Sequence, residues 1–143
     1  MSNVIPLPKP EIAENAAPAA APRSIRDIIA DLSKPCAKER LKTRKQGKNT
    51  LTYLPWYQAV RYLDKYAAGW SYEVRDIKTL GENCVVIVRV LIPCAEGVIW
   101  REATGIEPLT VIGYGDPASN AESMALRRAA AKFGLGLYLY DKP

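Results

Sequence analysis

The stretch "CVVIVRVLI", residues 84–92, limits what this chain can become more than any other. It is apolar at every position except Arg89 and dominated by valine and isoleucine, residues whose branched side chains suit a pleated strand. On one side "GEN" joins it to "WSYEVRDIKTL", where Trp70, Tyr72 and Val74 alternate with Ser71, Glu73 and Arg75. On the other, "PCAEG" joins it to "VIWREATGI", residues 98–106. Both connections are short and turn-like, so three strands in an antiparallel meander are expected. The middle strand, apolar on both sides, should be covered on both faces. Arg89 is then the odd residue: it pairs with Glu102 or Glu73, or it lines a groove, and the sequence leaves the three open.

Helical spacing appears three times around this meander. "SIRDIIADLS" opens with Ser24 and has Asp27 three residues on, close to a capping box, and Ile25, Ile28, Ile29 and Leu32 then repeat on one face. A short amphipathic helix over 25–33 is expected, packed on the domain's own core or on a neighbouring subunit. "LTYLPWYQAVRYLDKYAAGW" reads as a short strand followed by a helix. Pro55 suits the first turn, and Trp56, Ala59, Val60, Leu63 and Ala67 form a face to be buried. Gly69 serves as the C-terminal stop, and Arg61, Tyr62 and Lys65 face outward. After a loop containing "GYG", "SNAESMALRRAAAKFG" forms the closing helix. Ser119 and Glu122 match a capping box that would start it, Leu126, Ala129, Ala130 and Phe133 are its buried stripe, and Gly134 ends it. The last run, "LGLYLY", is apolar and β-prone and should tuck into the core or a subunit contact.

The first 23 residues read as a separate Pro/Ala-rich disordered tail, because prolines at 6, 8, 10, 18 and 22 forbid continuous helix or strand. The tail lacks the basic start and unbroken apolar run of a secretory signal. No segment is long and apolar enough to cross a bilayer, so no membrane partner is expected. Residues 24–143 should form one domain. Cys36, Cys84 and Cys94 show no C-x-x-C spacing and read as buried, reduced thiols of a cytoplasmic protein. Histidine is absent, which rules out Ser-His and Cys-His mechanisms and argues against zinc. Glu73, Asp76 and Glu102 could in principle gather Mg²⁺ for phosphodiester cleavage, but their spacing matches no metal motif; surface or ion-pair roles are expected for them. No catalytic residue, metal ligand or cofactor is assigned.

The cations are more informative. With 20 Lys plus Arg against 15 Asp plus Glu, the net charge is +5, and the excess is unevenly distributed. From Lys34 to Lys48 there are seven cations and one acid, Glu39, ahead of the aromatics Tyr53, Trp56 and Tyr57. On the closing helix Arg127, Arg128 and Lys132 stand among alanines with no acid beside them, and Arg128 and Lys132 are a like-charge i, i+4 pair. A solvated loop and a solvated helix face are one reading. Cations that follow a phosphate chain, with rings nearby, are the other, and they suit sequence-tolerant binding of single-stranded nucleic acid. Core packing is expected for Trp56 and less so for Tyr53.

The ordered succession of "TYLPWYQAVRYLDKYAAGW", the meander, "GYG" and "AESMALRRAAAKFGLGLYLY" resembles the single-strand annealing domain of the Rad fifty-two family, most closely its DdrA-like bacterial and phage branch. The resemblance runs over about residues 24–140 and is most specific in A-E-S-x-A-L-[RK]-R-A-x-x-K-F-G. It implies an α+β fold, a β-β-β-α unit preceded by a short helix, a short strand and a second helix. It implies a homo-oligomeric ring, with a basic groove that holds single-stranded DNA by its phosphates and leaves the bases free to pair. Annealing would need neither ATP nor metal, in a bacterial cytoplasm or nucleoid during recombination and double-strand break repair. A single-strand binding protein or another recombination protein is a candidate further partner.

Residue by residue, the resemblance places Arg127 and Arg128 at the groove floor. It places Arg44 or Lys45, with Lys48 nearby, ahead of the first strand, and Tyr53 at the strand-to-helix turn. A cation expected one turn beyond the arginine pair falls on Ala131, and Lys132 stands next to it. The connection "DPASN" is shorter than the lysine-rich stretch of eukaryotic members, which leaves a second, outer DNA site unsupported. The sequence runs to Pro143, and the C-terminal partner-binding extension that the resemblance would otherwise imply is expected to be absent. The competing expectation is a scaffold ring that binds another repair protein and touches DNA weakly.

Overall fold

The computed structural model describes residues 22–110 and 115–141. The tail up to residue 21, and Gly113 and Tyr114 of "GYG", lie outside the described residues. The fold is α+β. In chain order it comprises helix α1 (Ile25–Leu32), a hairpin of β1 (Lys42–Gln46) and β2 (Asn49–Tyr53), and helix α2 (Trp56–Tyr66). The meander β3 (Ser71–Leu80), β4 (Asn83–Cys94), β5 (Gly97–Pro108) and helix α3 (Pro117–Ala131) follow. Single 3₁₀ turns occupy Lys38–Arg40 and Leu137–Tyr140.

Local chemistry accounts for most boundaries. The Ser24 hydroxyl accepts the Asp27 N–H at 3.1 Å and caps α1. Just ahead of it, Arg23, placed by composition at the end of the tail, donates to the carbonyls of Tyr66 and Asp27 and pairs with Asp31. Helix α3 is capped three residues before the expected Ser119. Asp116 is its cap, accepting from the Ser119 N–H at 2.8 Å, and Pro117 takes the first turn, where no N–H is required. Ser119 instead donates its hydroxyl to Asp116 at 2.9 Å. The C-terminal "LYLY" is a 3₁₀ turn rather than a strand, with Leu139 packed on the core and Leu137 and Tyr140 exposed.

The basic run holds a strand where the sequence suggests a loop. Strand β1 pairs with β2 in the register Lys42↔Tyr53, Arg44↔Leu51 and Gln46↔Asn49, across the two-residue turn Gly47-Lys48. Gly47 has φ +63°, as a tight hairpin turn requires. All five β1 residues are exposed, so no apolar alternation announces the strand.

The three-stranded sheet has the order β3-β4-β5, antiparallel throughout, with a bulge at Arg75. Helix α3 lies on one face of it. There Val86, Val88, Val90 and Ile92 of β4 are fully buried, together with Phe133, Leu63 and Leu32. Each such side chain contributes about 1.5–3 kcal/mol through removal from water. The expectation that β4 is covered on both faces holds only in part: on its other face Val85 is buried, while Ile87, Arg89 and Leu91 are half-buried. Trp56 also departs from expectation. It is 48% exposed, at the first position of α2, while Ala59 and Leu63 behind it are buried.

The helix sits unusually close to β5. A Cβ on Gly105 would come within 1.8 Å of the Ala121 carbonyl oxygen and 2.8 Å of the Ala125 nitrogen. Gly105 on the strand and alanines at 121 and 125 on the helix let the two backbones touch. That contact fixes where the cationic side of α3 emerges.

Candidate nucleic-acid interface

Helix α3 turns Ala121, Ala125, Leu126, Ala129 and Ala130 inward, so 3.6-residue spacing leaves Arg127, Arg128 and Lys132 toward its margins. They do not all behave alike. Arg127 is partly buried, and burial pulls its guanidinium below its ordinary value, with Arg44 and Arg128 adding to the effect and Tyr140 opposing it. Arginine's ordinary value is so high that the group stays charged. Its Nε donates only a long bond, 3.4 Å, to the Ser123 carbonyl of its own helix. Arg128 donates from Nη1 to the Thr104 carbonyl at 3.2 Å, and Lys132 donates from Nζ to the Glu102 carbonyl at 2.6 Å.

Those two carbonyls lie on the edge of β5 that no described strand pairs. The Ile106 N–H of the same strand meets the Met124 sulfur at 3.5 Å. Met124, Arg128 and Lys132, spaced i, i+4, i+8, thus run along the β5 edge and cover its open hydrogen-bonding groups. Arg101 fastens the same end. It donates to the Lys132 carbonyl and sits 4.7 Å over the Phe133 ring.

The hairpin brings the second cationic group. Arg44 shares a face with Leu51 and, diagonally, Tyr53. Its guanidinium carbon lies 5.7 Å from the Tyr53 ring centre, and that of Arg127 lies 5.3 Å from the same ring. Arg44, Tyr53, Arg127 and Arg128 line one cavity of about 230 Å³, over a floor that includes Leu51, Leu54 and Leu135. No carboxylate lines it among the described residues. A second, shallower depression is lined by Arg128, Lys132, Thr104, Leu137 and Tyr140. Arg128 and Tyr140 belong to both, so the two depressions adjoin, with Arg44 in the first and Lys132 in the second.

Of the residues singled out in the sequence, the fold therefore gathers Arg44, Tyr53, Arg127, Arg128 and Lys132. It does not gather Lys45 and Lys48. Lys45 alternates to the opposite face of the hairpin, across from Thr50, and Lys48 sits in the turn; both are exposed. Among the described residues, the ion pairs involve Arg23, Lys34, Arg75, Lys78 and Arg89, so none of the gathered cations is held by an acid.

Three contributions are not visible in the sequence. Tyr140 bridges the two depressions, yet it belongs to a run that looks like core filler. Gln46 joins the lining from the end of β1. Lys42 stands 5.3 Å over the Tyr57 ring, and the hydrogen bond that its ammonium donates to that phenol oxygen raises it above the ordinary lysine value. Its only signal in the sequence is membership of the basic run.

Arg89 resolves onto Glu102. Its Nε donates at 2.7 Å, and its guanidinium stacks 3.7 Å over Trp100. It lies on the sheet face away from α3 and so lines neither depression. Among the described residues no group of three acids, cysteines or histidines could hold a metal. No described helix is long and apolar enough to cross a membrane.

Comparison with known proteins adds the family. The model of the Rad52/22 family of double-strand break repair proteins matches residues 24–143. The chain is 36% identical over 122 residues to "DNA repair RAD52-like protein 1, mitochondrial" of Arabidopsis thaliana, covering 84% of this chain and 69% of that protein. It is 39% identical over 124 residues to "DNA repair RAD52-like protein 2, chloroplastic" of the same plant, covering 84% of this chain and 62% of that one. A match to the family model across the whole folded region, together with two such relatives, makes this chain a member of the Rad52/22 family of double-strand break repair proteins, a non-catalytic annealing family.

Proposed function

We propose that the protein binds single-stranded DNA and anneals complementary strands in recombination and double-strand break repair, without ATP, as a homo-oligomeric ring. The observation that carries this reading is the convergence of Arg44, Arg127 and Arg128 on one cavity whose lining, among the described residues, contains no acid. Guanidinium groups present their donors in a fork that matches phosphate geometry, and such a lining attracts a polyanion. Tyr53 and Tyr140 add aromatic surface of the kind sequence-tolerant single-strand binding uses. Lys45 and Lys48, exposed on the hairpin, add longer-range attraction. Strands held by their phosphates keep their bases free to sample partners, and neutralised chains meet without full mutual repulsion.

The ring belongs to the same proposal. It is supported by the exposed apolar residues on the outer strand β3: Tyr72, Val74, Ile77 and Leu80. The DdrA-like bacterial and phage branch is supported by the closing-helix motif and the short "DPASN" connection. A cytoplasmic location is supported by three unpaired, buried thiols, which suit a reducing compartment; the organelles in the relatives' names are attributes of those proteins.

One observation favours the scaffold reading, in which the ring binds another repair protein and DNA only weakly: Arg128 and Lys132 already donate to β5 carbonyls. Fluorescence anisotropy with a short oligonucleotide over a salt series separates the two. Annealing predicts tight binding whose logarithm falls with log salt at about −0.7 per phosphate contacted. Weak binding with a flat slope removes the annealing reading. Mass photometry with and without the oligonucleotide reports the assembly in the same samples.

A further inference from the structure

We infer that Tyr53 is a positioning residue, which acts on DNA through Arg44 and Arg127 by holding both guanidinium groups over its ring. This inference rests on the single-strand binding proposed above and names how its central cations are held.

Three observations lead to it. The two arginines come from distant parts of the chain, one on β1 and one on α3, and both approach the same ring, at 5.7 and 5.3 Å. Neither has an acid partner among the described residues. The Arg44 guanidinium makes no hydrogen bond among the described residues, and that of Arg127 makes only the long one to Ser123. Among the described residues, the Tyr53 ring is therefore the contact that the two guanidinium groups share.

Its chemistry suits the task. The face of an aromatic ring carries negative quadrupole potential and attracts a guanidinium while leaving its N–H donors unfilled. A carboxylate in the same place would hold the cations more firmly but would neutralise them and compete with phosphate. The two arginines also repel each other, and Arg127 is partly withdrawn from water, so without an attractive group between them they would separate into solvent. Two long side chains held in place beforehand lose less freedom when a phosphate arrives. Strand register contributes too: Tyr53 closes β2, faces Lys42 directly and stands diagonal to Arg44, so the hairpin sets half of the arrangement and the docking of α3 sets the other half.

The test replaces residue 53 with phenylalanine and with mono-, di- and trifluorinated phenylalanine in the full chain. Fluorination drains the ring face of negative potential and leaves its shape nearly unchanged. Affinity for a labelled oligo-dT is measured by anisotropy at fixed salt, with mass photometry confirming the assembly. Tyr53→Phe should bind within about twofold of the unsubstituted protein, and affinity should then fall stepwise to about tenfold weaker at three fluorines, the size expected of one to two partly desolvated cation–ring contacts. Arg44→Gln in the trifluorinated background should cost much less than in the unsubstituted protein, because its ring partner is already gone. A series flat in fluorine content, or an Arg44→Gln effect of equal size in both backgrounds, overturns the inference while leaving DNA binding in place. Absence of binding by the unsubstituted protein overturns both.

Discussion

Arg128 donates from Nη1 to the backbone carbonyl of Thr104 at 3.2 Å, across the seam between α3 and the open edge of β5. One turn on, Lys132 repeats the contact at Glu102. An i, i+4 step on a helix rises about 6 Å and an i, i+2 step on a strand about 6.6 Å, so the two spacings match. A like-charge pair that would repel on an isolated helix is thereby given two acceptors. The same residues serve as edge covers and as candidate phosphate ligands.

Arg128→Ala should reduce single-strand affinity about three- to tenfold and flatten the salt slope by roughly one unit, as loss of one phosphate contact requires. Its contact with Thr104 is exposed, so the thermal midpoint should move by only a few degrees. An unchanged slope with unchanged affinity would remove Arg128 from the interface.

The double variant Arg128→Ala/Lys132→Ala leaves the β5 carbonyls at 102 and 104 without donors. It should aggregate on warming at concentrations where each single variant stays dispersed, because an uncovered strand edge templates pairing with other chains. Light scattering during a thermal ramp reads this directly; equal behaviour of the single and double variants would show that the edge is protected by something else.

Gly105→Ala should be among the most damaging single substitutions in the chain. Its new methyl group would meet the Ala121 carbonyl at 1.8 Å, backbone that cannot rotate aside, so α3 must lift from the sheet. Overpacking of this kind costs about 1–3 kcal/mol and sometimes more. Chemical denaturation should show that loss, and DNA affinity should fall with it, because Arg127 moves with the helix while Arg44 does not.

Stability should decline in acid partly through Asp116. Hydrogen bonds from Ser119 hold its carboxyl below the ordinary aspartate value. A folded-state value below the unfolded one means that the contribution is complete above the unfolded value and disappears as pH falls through the folded value. Asp31 is lowered in the same direction, first by Lys34 and then by Arg23. Thermal midpoints recorded from pH 7 to pH 2 should fall less steeply in Asp116→Asn, whose amide caps without titrating. Parallel curves would contradict this.

The thiols should be quiet in the folded protein. Cys36, Cys84 and Cys94 are all buried, and burial raises the Cys36 thiol above its ordinary value. Alkylation by iodoacetamide at neutral pH should be negligible until denaturant is added, then reach three groups per chain. Rapid labelling of the native protein would indicate local opening around α1.

Elements with a strong internal period are legible in the sequence alone. Strand β4 is marked by its β-branched run, α1 by Ser24 and the isoleucine spacing, and the inner face of α3 by Leu126, Ala129, Ala130 and Phe133. Strand β1 carries no such mark. Its residues "KTRKQ" are solvated on both faces, so pairing with β2 leaves no apolar alternation to detect. The start of α3 is ambiguous because "DPAS" carries two capping residues, and the choice of Asp116 over Ser119 is made by backbone geometry. Trp56 lies on the apolar stripe of α2, but the stripe runs past the end of what packs against it, and a helical period says nothing about where a partner stops.

Local order along the chain settled what local forces control: the state of the strongly periodic segments, which of their faces are apolar, where most turns fall, and that cations accumulate in two separate places with few acids among them. Only the folded chain decided that Arg44 meets Arg127 over Tyr53 while Lys45, its immediate neighbour, faces away. That meeting depends on the register of a hairpin and on the close approach of a helix to Gly105, contacts between residues far apart in sequence. No periodicity within either segment encodes them, because the packing of one against the other sets the distance.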